Sequence, residues 1–395
     1  MSRLLFVGPP FVGHLNPAIS VATELEARGH EVGWVGDEAL LKKLGSKATV
    51  VRGVAFDRIA TLATDRPSRL RGNGAIALLW NGYLDVARST YALIAEALEV
   101  FEPCLVLCDQ QMFAGGLAAH EAGYRWLTLA TTSAEIVSCP EEHSGFHRWM
   151  ANALAELESG FGLADSVDPR LSPFGILLFS SCALTGPLPG HLPILSAGCS
   201  TKYREESAVF PWEKLDKRRK LLVSLGTLNG LAGKTFLDEA WQACWQRRET
   251  MQTILLDPTA SIRYAPNDDV LILKSVPQLA LLKQLDAVLC HGGQNTISEA
   301  ISHGVPLVVA PIRDDQPMNA AQVVDAGIGV RVRFGHPSAP AIGAAIDAVL
   351  TNPAYRAAAM AIAPSMINGT DRAADAIERF LRTGTLADGM DSHGS

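Results

Sequence analysis

The sequence predicts an α/β protein made of two doubly wound parallel sheets, and three observations support this prediction. First, 395 residues with 48% hydrophobic content are enough for two cores, because a domain usually holds about 100 to 200 residues. Second, short apolar runs alternate with segments of helical periodicity, which is the order of successive βαβ units. Third, this alternation stops in a polar, charged stretch and begins again at Leu221.

The domain organisation follows from where the pattern stops and restarts. Residues 1–197 are predicted to form a first domain, residues 198–220 a linker, and residues 221–383 a second domain. The remaining residues, 384–395, are rich in Gly, Asp and Ser, and we expect them to be a disordered tail.

Composition excludes several classes of partner. A net charge of −7 without a block of Lys or Arg argues against nucleic acid or an anionic membrane. The chain enters a strand pattern at once, at Arg3–Val7, so we expect neither a signal peptide nor a membrane-spanning segment. Its 7 cysteines show no C-x-x-C spacing and are interpreted as free thiols. We therefore expect a protein of the reducing cytoplasm.

The first domain places two chemically suited residues at one edge of its predicted sheet. His14 closes the loop after the first strand, and a helix is predicted from about Leu15, with Asn16 as its cap and Pro17 in its first turn. Asp109 ends the apolar run that begins at Cys104. Taken alone, a histidine at such a turn is more often a capping residue. Paired with an aspartate at the same sheet edge, it suits general-base catalysis.

The loop that carries His14 is not the G-x-G-x-x-G loop of dinucleotide-binding proteins, so the sequence does not support NAD as a cofactor. The long helical pattern that follows, at 72–100, contains Trp80 and Tyr83. We interpret both rings as core residues. The alternative is that they line a ligand pocket.

The second domain contains a strand, a sharp corner and a helix in direct succession. Ala287–Cys290 is the apolar strand, and His291-Gly292-Gly293 forms the corner. The first amides of the helix beyond it are unpaired donors at the positive end of the helix dipole, which favours a phosphate. Glu299 follows Asn295 by one helical turn, about 6 Å along the axis, and suits the ribose hydroxyls of a bound nucleotide.

A further strand, at about 307–310, leads to Asp314, Asp315 and Gln316, whose acceptor atoms suit sugar hydroxyls. The sequence contains no Asp-x-Asp motif, so a metal-bridged diphosphate is not favoured.

Taken in order, these motifs resemble the donor signature of family 1 glycosyltransferases: Pro277-Gln278, His291 to Thr296 with Glu299, Gly304-Val305-Pro306, Asp315-Gln316 and Asn319-Ala320. The resemblance implies the GT-B fold, in which two Rossmann-like domains face a central cleft and the last helix packs back on the first domain. It also implies an inverting, metal-independent transfer with His14 as base and Asp109 as its partner. The implied donor-binding residues are Gly226, Thr227, Val276, Gln278, His291, Gly293, Asn295, Thr296, Glu299, Asp315 and Gln316.

The resemblance further implies the substrates. We expect a UDP- or TDP-hexose, glucose above all, and a hydroxyl of an apolar natural product, with no cofactor and no metal. Plant members of the family usually carry Trp two residues before the Pro-Gln pair, where this chain has Ser275, so the choice between uridine and thymidine stays open. The acceptor pocket is expected in residues 60–92 and 132–160. Alternatives are a nucleotide-sugar epimerase on the same fold and a catalytically silent partner protein. The sequence does not indicate an oligomeric state.

Overall fold

The computed structural model describes residues 1–54, 73–137, 145–163, 167–204, 206, 208–226 and 233–386. The chain divides into two compact units. Met1–Glu205 together with Asn368–Ser395 form the first unit, and Glu206–Ile367 form the second. Each unit contains one sheet in which every described strand pairing is parallel. The predicted fold class, α/β with two doubly wound sheets, is therefore confirmed.

The first unit has seven described strands in the order β3-β2-β1-β4-β5-β6-β7. The strands are β1 (Arg3–Val7), β2 (Glu31–Gly36), β3 (Thr49–Gly53), β4 (Leu105–Asp109), β5 (Trp126–Ala130), β6 (Ile176–Leu178) and β7 (Ile194–Ser196). The helices are α1 (Val12–Ala27), α2 (Glu38–Lys43), α3 (Asn73–Phe101), α4 (Phe113–Glu121), α5 (Ala134–Val137), α6 (Gly145–Phe161), α7 (Cys182–Thr185) and, at the far end of the sequence, α14 (Gly369–Thr383).

The first sheet is buried on both faces because successive strand residues point to opposite sides. Leu5 and Val7 of β1 belong to the core under α3 and α4, whereas Leu4 and Phe6 belong to the core under α1 and α14. The interpretation of Trp80 and Tyr83 as core residues agrees with the structure. Their exposures are 3% and 4%, and both rings pack against Phe113.

Helix α1 begins three residues earlier than predicted, at Val12, and Asn16 is not its cap. The carbonyl of Phe11 accepts from the N–H groups of both His14 and Leu15, which closes the first turn. Pro17 lies inside the helix, where it removes one N–H donor without ending it. His14 therefore lies on the helix and not in the loop before it.

Helix α14 follows the second unit in sequence but belongs to the first unit, where it packs on α1. Its Ile377 and Phe380 are fully buried there. The predicted tail starts too early, because residues 384–386 are part of the fold. Leu386 is 3% exposed and lies over Gly175, where a Cβ atom would come within 2.2 Å of Leu386 Cδ1. Residues 387–395 lie outside the described part of the chain.

The predicted linker, residues 198–220, is divided between the two units. Its first residues join α14, since the Gly369 N–H donates to the Cys199 carbonyl at 3.1 Å and the Ser200 hydroxyl lies 2.9 Å from that of Thr370. Its last residues contain a short 3₁₀ helix at Trp212–Lys214 and the start of the next strand. The six cysteines in the described residues are free thiols, and Cys139 lies outside them.

The second unit has six described strands in the order β10-β9-β8-β11-β12-β13. They are β8 (Arg219–Ser224), β9 (Met251–Leu256), β10 (Val270–Leu273), β11 (Ala287–Cys290), β12 (Leu307–Val309) and β13 (Gly329–Arg331). The helices are α8 (Lys234–Trp245), α9 (Gln278–Leu282), α10 (Gln294–Ser302), α11 (Gln316–Asp325), α12 (Ala339–Thr351) and α13 (Pro353–Met366). Leu221, Val223 and Leu289 pack against α8 and α12 on one face.

The apolar runs that predict strands also include 32–35, 126–130, 221–224, 253–256 and 270–273. The described strands β3, β6, β7 and β13 have no counterpart among the predicted ones. Three of them, β6, β7 and β13, are only three residues long, too short for an alternating pattern to be recognised. They become strands because a neighbouring strand already offers its backbone groups, a long-range effect that local sequence does not carry.

Candidate active site

His14 lies in the first turn of α1, directly after β1. Its backbone N–H donates to the Phe11 carbonyl at 3.0 Å, and its ring centroid lies 5.6 Å from that of Phe11. The His14 side chain is 19% exposed. Because the sheet order reverses between β1 and β4, the connection that carries His14 lies at the switch point where doubly wound sheets bind ligands.

Asp109 is the last residue of β4, on the other side of this switch point. Its side chain is 4% exposed, and Oδ2 lies 2.9 Å from His14 Nδ1. Its other oxygen, Oδ1, accepts from the Gln111 backbone N–H at 2.9 Å. The structure therefore brings together the two residues that the sequence pairs, and the carboxylate is placed to hold a proton on Nδ1.

Thr131 is a third member of this group and was not predicted from the sequence. Its Oγ1 lies 2.7 Å from His14 Nδ1 and 3.5 Å from Asp109 Oδ2. The Thr131 hydroxyl can donate to the carboxylate while its oxygen shares the proton on Nδ1. A signal was present, because Thr131 directly follows β5, and the carboxyl ends of parallel strands meet at one sheet edge.

A second polar group in the first unit surrounds Glu135 of α5. Glu135 Oε2 lies 3.8 Å from Arg170 Nη1, and the guanidinium of Arg170 lies over the Trp80 ring, 5.1 Å from its centroid. Burial raises the pKa of Glu135 to about 7, an effect that Arg170 opposes and that the charges of Asp168 and Asp109 reinforce. Glu135 was not among the residues predicted from the sequence.

The corner of the second unit is built around the imidazole of His291. A Cβ atom at Gly226 would lie 2.6 Å from His291 Cε1, and one at Gly293 would lie 2.6 Å from Nε2. Gly226 and Gly292 also have φ angles of 75° and 89°, which favour glycine. The His291 ring thus packs where only glycines fit. Gly226 follows β8 and His291 follows β11, and these two strands flank the switch point of the second sheet.

Burial lowers the pKa of His291 to about 4, and the positive charge of Arg313 lowers it further, against an opposing hydrogen bond with the backbone at Ser224. The imidazole is therefore neutral at physiological pH. A neutral imidazole carries one N–H donor and no net charge. Arg313, which the sequence analysis missed, lies close enough to influence this ring.

The helix beyond the corner carries three of the predicted donor-binding residues. Helix α10 has Gly293 as its N-cap, without a side chain that caps the first amides. Asn295 and Thr296 are half-buried in its first turn, and Glu299 is 1% exposed. Glu299 Oε2 accepts from Gln278 Nε2 at 2.6 Å, so two residues that are 21 positions apart in sequence meet in the fold.

The other predicted donor-binding residues in the described part of the chain lie just before α9 and at the start of α11. Val276 is half-buried just before α9. Gln316 Oε1 accepts from the N–H groups of Ile312 and Arg313, at 2.9 and 3.1 Å, which fixes its side chain against its own loop. Asn319 Nδ2 lies 2.9 Å from Asp315 Oδ2 and 3.0 Å from the Gly292 carbonyl.

Asn319 thus connects the Asp315 loop to the histidine corner. Thr227 and residues 60–72 and 138–144 of the expected acceptor pocket lie outside the described residues. Among the residues that are described, no group of three or more His, Cys, Asp or Glu side chains is arranged to hold a metal ion.

Comparison with known proteins agrees with these features. The family model for UDP-glucoronosyl and UDP-glucosyl transferases matches residues 243–379. The chain is 25% identical to the uncharacterized UDP-glucosyltransferase YojK of Bacillus subtilis (strain 168), over 98% of this chain and 99% of the relative. It is 25% identical to the zeaxanthin glucosyltransferase of Pantoea ananas, over 97% of each chain. The crystal structure of the kitacinnamycin glycotransferase superimposes with a TM-score of 0.76 at 22% identity, covering 96% of this chain and 98% of that one.

Fold and relatives together define the class of protein: the chain is a glycosyltransferase with the GT-B fold. Within that class, the ordered motifs between Pro277 and Ala320 resemble those of the family 1, UDP-glycosyltransferase-like enzymes, in the region that the family model matches. In the described part of the chain, no helix is both long and apolar enough to cross a membrane.

Proposed function

We propose that this glycosyltransferase moves a hexose, glucose above all, from a UDP- or TDP-sugar to a hydroxyl of an apolar natural product, with inversion and without a metal or other cofactor. The observation that carries the proposal is the 2.9 Å contact between His14 Nδ1 and Asp109 Oδ2. It is the arrangement of a general base with a carboxylate that orients it.

In the proposed reaction His14 Nε2 takes the proton of the acceptor hydroxyl as its oxygen attacks the anomeric carbon. The new bond joins the acceptor oxygen to that carbon, and the bond between the carbon and the diphosphate oxygen breaks. Asp109 stabilises the imidazolium that forms, with Nδ1 as the protonated atom. A single displacement inverts the anomeric centre, so an α-linked donor yields a β-linked product.

The leaving diphosphate is proposed to be bound by the second unit. The amides at the start of α10 carry the positive end of a helix dipole, and His291 supplies a neutral N–H donor. Gly226 supports this role because it lets the backbone approach closely. Glu299 and Gln278, already 2.6 Å apart, are placed for the ribose hydroxyls.

The sugar is proposed to be bound by Asp315 and Gln316. Because Gln316 Oε1 already accepts two backbone N–H groups, its Nε2 is the atom that we assign to a sugar hydroxyl. A site built to hydrogen-bond several hydroxyls disfavours a heavily deoxygenated sugar, since its polar groups would stay unpaired. The relative named for zeaxanthin, a hydroxylated apolar molecule, supports an apolar acceptor.

The test is a transfer assay with UDP-glucose and TDP-glucose against a panel of coumarin, flavonol and carotenoid alcohols, with and without EDTA. We expect transfer that EDTA leaves unchanged and a β-anomer in the NMR coupling constant of the product. We expect His14→Ala to lower kcat at least about 1,000-fold, since it removes the base, while the Kd for UDP, measured by calorimetry, changes less than about threefold. Strong turnover in His14→Ala, an α-linked product, or donor consumption without acceptor would each contradict the proposal.

A further inference from the structure

Beside the His14–Asp109 pair, the first unit contains buried polar atoms that no described group satisfies. Gln110 is fully buried, yet its Nε2 has no hydrogen-bond partner among the described residues, and the same holds for Glu135 Oε2. Leaving such atoms unpaired in a protein interior costs about 1 to 3 kcal/mol each. Atoms of this kind often face a ligand or water.

The orientation of the Gln110 amide is fixed by the backbone. Gln110 Oε1 accepts from the Thr132 N–H at 3.2 Å, so Nε2 is the end that points away from this contact. Thr132 Oγ1 in turn accepts from the Ala134 N–H at 3.3 Å, at the start of the helix that carries Glu135. The Gln110 amide makes only a weak contact with the Glu135 carboxylate, outside normal hydrogen-bond geometry, and this contact favours the ionised form of Glu135.

Glu135 forms an ion pair with Arg170 but no hydrogen bond with it. Arg170 Nε and Nη2 bind Asp168, at 2.9 and 2.7 Å, while the distance from Arg170 Nη1 to Glu135 is 3.8 Å, beyond hydrogen-bond range. The charged groups that act on Glu135 are Arg170, Asp168 and Asp109. Two neighbouring atoms can therefore still form hydrogen bonds with a ligand. One is an N–H donor, Gln110 Nε2, and the other is a carboxylate acceptor, Glu135 Oε2.

We infer that Gln110 and Glu135 together bind a substrate hydroxyl other than the one that receives the sugar. A hydroxyl is the group that matches both atoms, because its oxygen accepts from Nε2–H while its O–H donates to Oε2. The inference rests on the proposed function. The hydroxyl can belong to the acceptor or be the 6-hydroxyl of the hexose, and the two sources are separable by experiment.

The experiment compares wild type with Glu135→Gln and Gln110→Leu, two near-isosteric variants, and with Glu121→Gln as a matched control. Glu121 is an exposed carboxylate at the end of α4 in the same unit. The acceptor probes are 4-methylumbelliferone, with one hydroxyl, and 4-methylesculetin, which adds a second. Their affinities are measured by fluorescence titration, independently of turnover. The donor probes are UDP-glucose and UDP-xylose, which lacks the 6-hydroxymethyl group.

If the acceptor supplies the hydroxyl, both variants lower the affinity for 4-methylesculetin about tenfold, as expected for one lost hydrogen bond. Their affinity for 4-methylumbelliferone stays within twofold of the wild-type value. If the hexose supplies it, the KM for UDP-glucose rises by a similar factor and that for UDP-xylose does not. In the wild type, the affinity for 4-methylesculetin or the KM for UDP-glucose, whichever the variants alter, also changes between pH 6 and 8, because the pKa of Glu135 is raised to about 7. In Glu135→Gln the same constant does not change over this pH range.

The inference is overturned if all four constants in both variants stay within twofold of Glu121→Gln while thermal melts show folded protein. It is also overturned if the variants weaken the binding of both coumarins equally, or of both nucleotide sugars equally, because the effect is then structural. A wild-type enzyme that transfers sugar to no acceptor contradicts the proposed function instead. Transfer with unchanged constants contradicts only this inference.

Discussion

At the scale of single residues, Thr131 shows how the contact between His14 and Asp109 depends on a neighbour. Its hydroxyl lies 2.7 Å from His14 Nδ1 and 3.5 Å from Asp109 Oδ2, and the residue is 5% exposed. A hydroxyl in this place donates to the carboxylate and shares the Nδ1 proton, which fixes the ring and the tautomer with the proton on Nδ1.

Thr131→Val removes this hydroxyl at nearly constant volume. We expect kcat to fall about tenfold, because one hydrogen bond of about 1 to 1.5 kcal/mol that orients the base is lost. The KM for the nucleotide sugar should change less than twofold, and steady-state kinetics measure both constants.

Thr131→Ser is the matched control for this change, since it keeps the hydroxyl and removes only a methyl group. It should retain at least half of the wild-type kcat. If Thr131→Val turned over at the wild-type rate, the proposed role of Thr131 in positioning His14 would be wrong.

The sequence identified His14 and Asp109 because each stands at the end of a recognisable strand or loop. It did not identify Thr131, Glu135 or Arg313. Their chemical roles depend on distances to residues far away in sequence, as with Thr131, which is 117 positions from His14. An isolated threonine or glutamate in the sequence carries no such information.

At the scale of elements, the contact between α1 and α14 is held by buried apolar side chains and by a group of charges. Glu24 of α1 accepts from Arg28 Nε at 2.8 Å, from Lys202 Nζ at 2.7 Å and from the Tyr203 hydroxyl at 2.8 Å. Arg28 also binds Asp375 and Glu378 of α14. Burial alone would raise the pKa of Glu24, but the hydrogen bonds from Lys202, Arg28 and Tyr203 outweigh it and lower the pKa to about 2.

The lowered pKa makes the contribution of Glu24 to stability depend on pH. The ordinary carboxyl pKa of 4.5 applies to the unfolded chain and about 2 to the folded one, so the contribution is complete above pH 4.5 and is lost as the pH falls towards 2. We expect Glu24→Gln to lower the free energy of unfolding by about 2 kcal/mol at pH 7, and by less than half of that at pH 3.

Urea titrations of Glu24→Gln at both pH values measure this difference. Glu31→Gln, an exposed carboxylate at the start of β2, is the control and should stay within about 0.5 kcal/mol of the wild type. An equal loss for Glu24→Gln at pH 7 and pH 3 would contradict the assigned pKa.

At the scale of the whole molecule, the first unit is discontinuous in sequence and the second is continuous. The first unit closes only when the chain returns after Ile367 to add α14. The buried side chains of Ile377 and Phe380 belong to the same core as Leu4 and Phe6 of β1. The first sheet therefore lacks part of one face until the end of the chain is in place.

A chain that ends at Ile367 should lose the stability of the first unit and all transferase activity. Removing a buried Phe side chain alone costs about 3 to 5 kcal/mol, and this truncation removes all of α14. A chain that ends at Leu386 keeps α14 and the contact over Gly175 and is the matched control. Calorimetric melting and the transfer assay compare the two, and a wild-type melting temperature for the shorter chain would refute the assignment of α14 to the core.

By itself, the sequence determined the fold class, the two sheets and the order of the donor motifs, because apolar periodicity, glycine corners and polar strand ends are local features. It also determined the pairing of His14 with Asp109, since both follow strands whose carboxyl ends meet at one sheet edge. Only the tertiary structure decided where α1 begins and which short segments become strands. It also decided that Thr131 contacts both His14 and Asp109, and that Gln110 and Glu135 keep unpaired atoms beside them. Each of these outcomes depends on contacts between residues distant in sequence, and such contacts exist only in the folded chain.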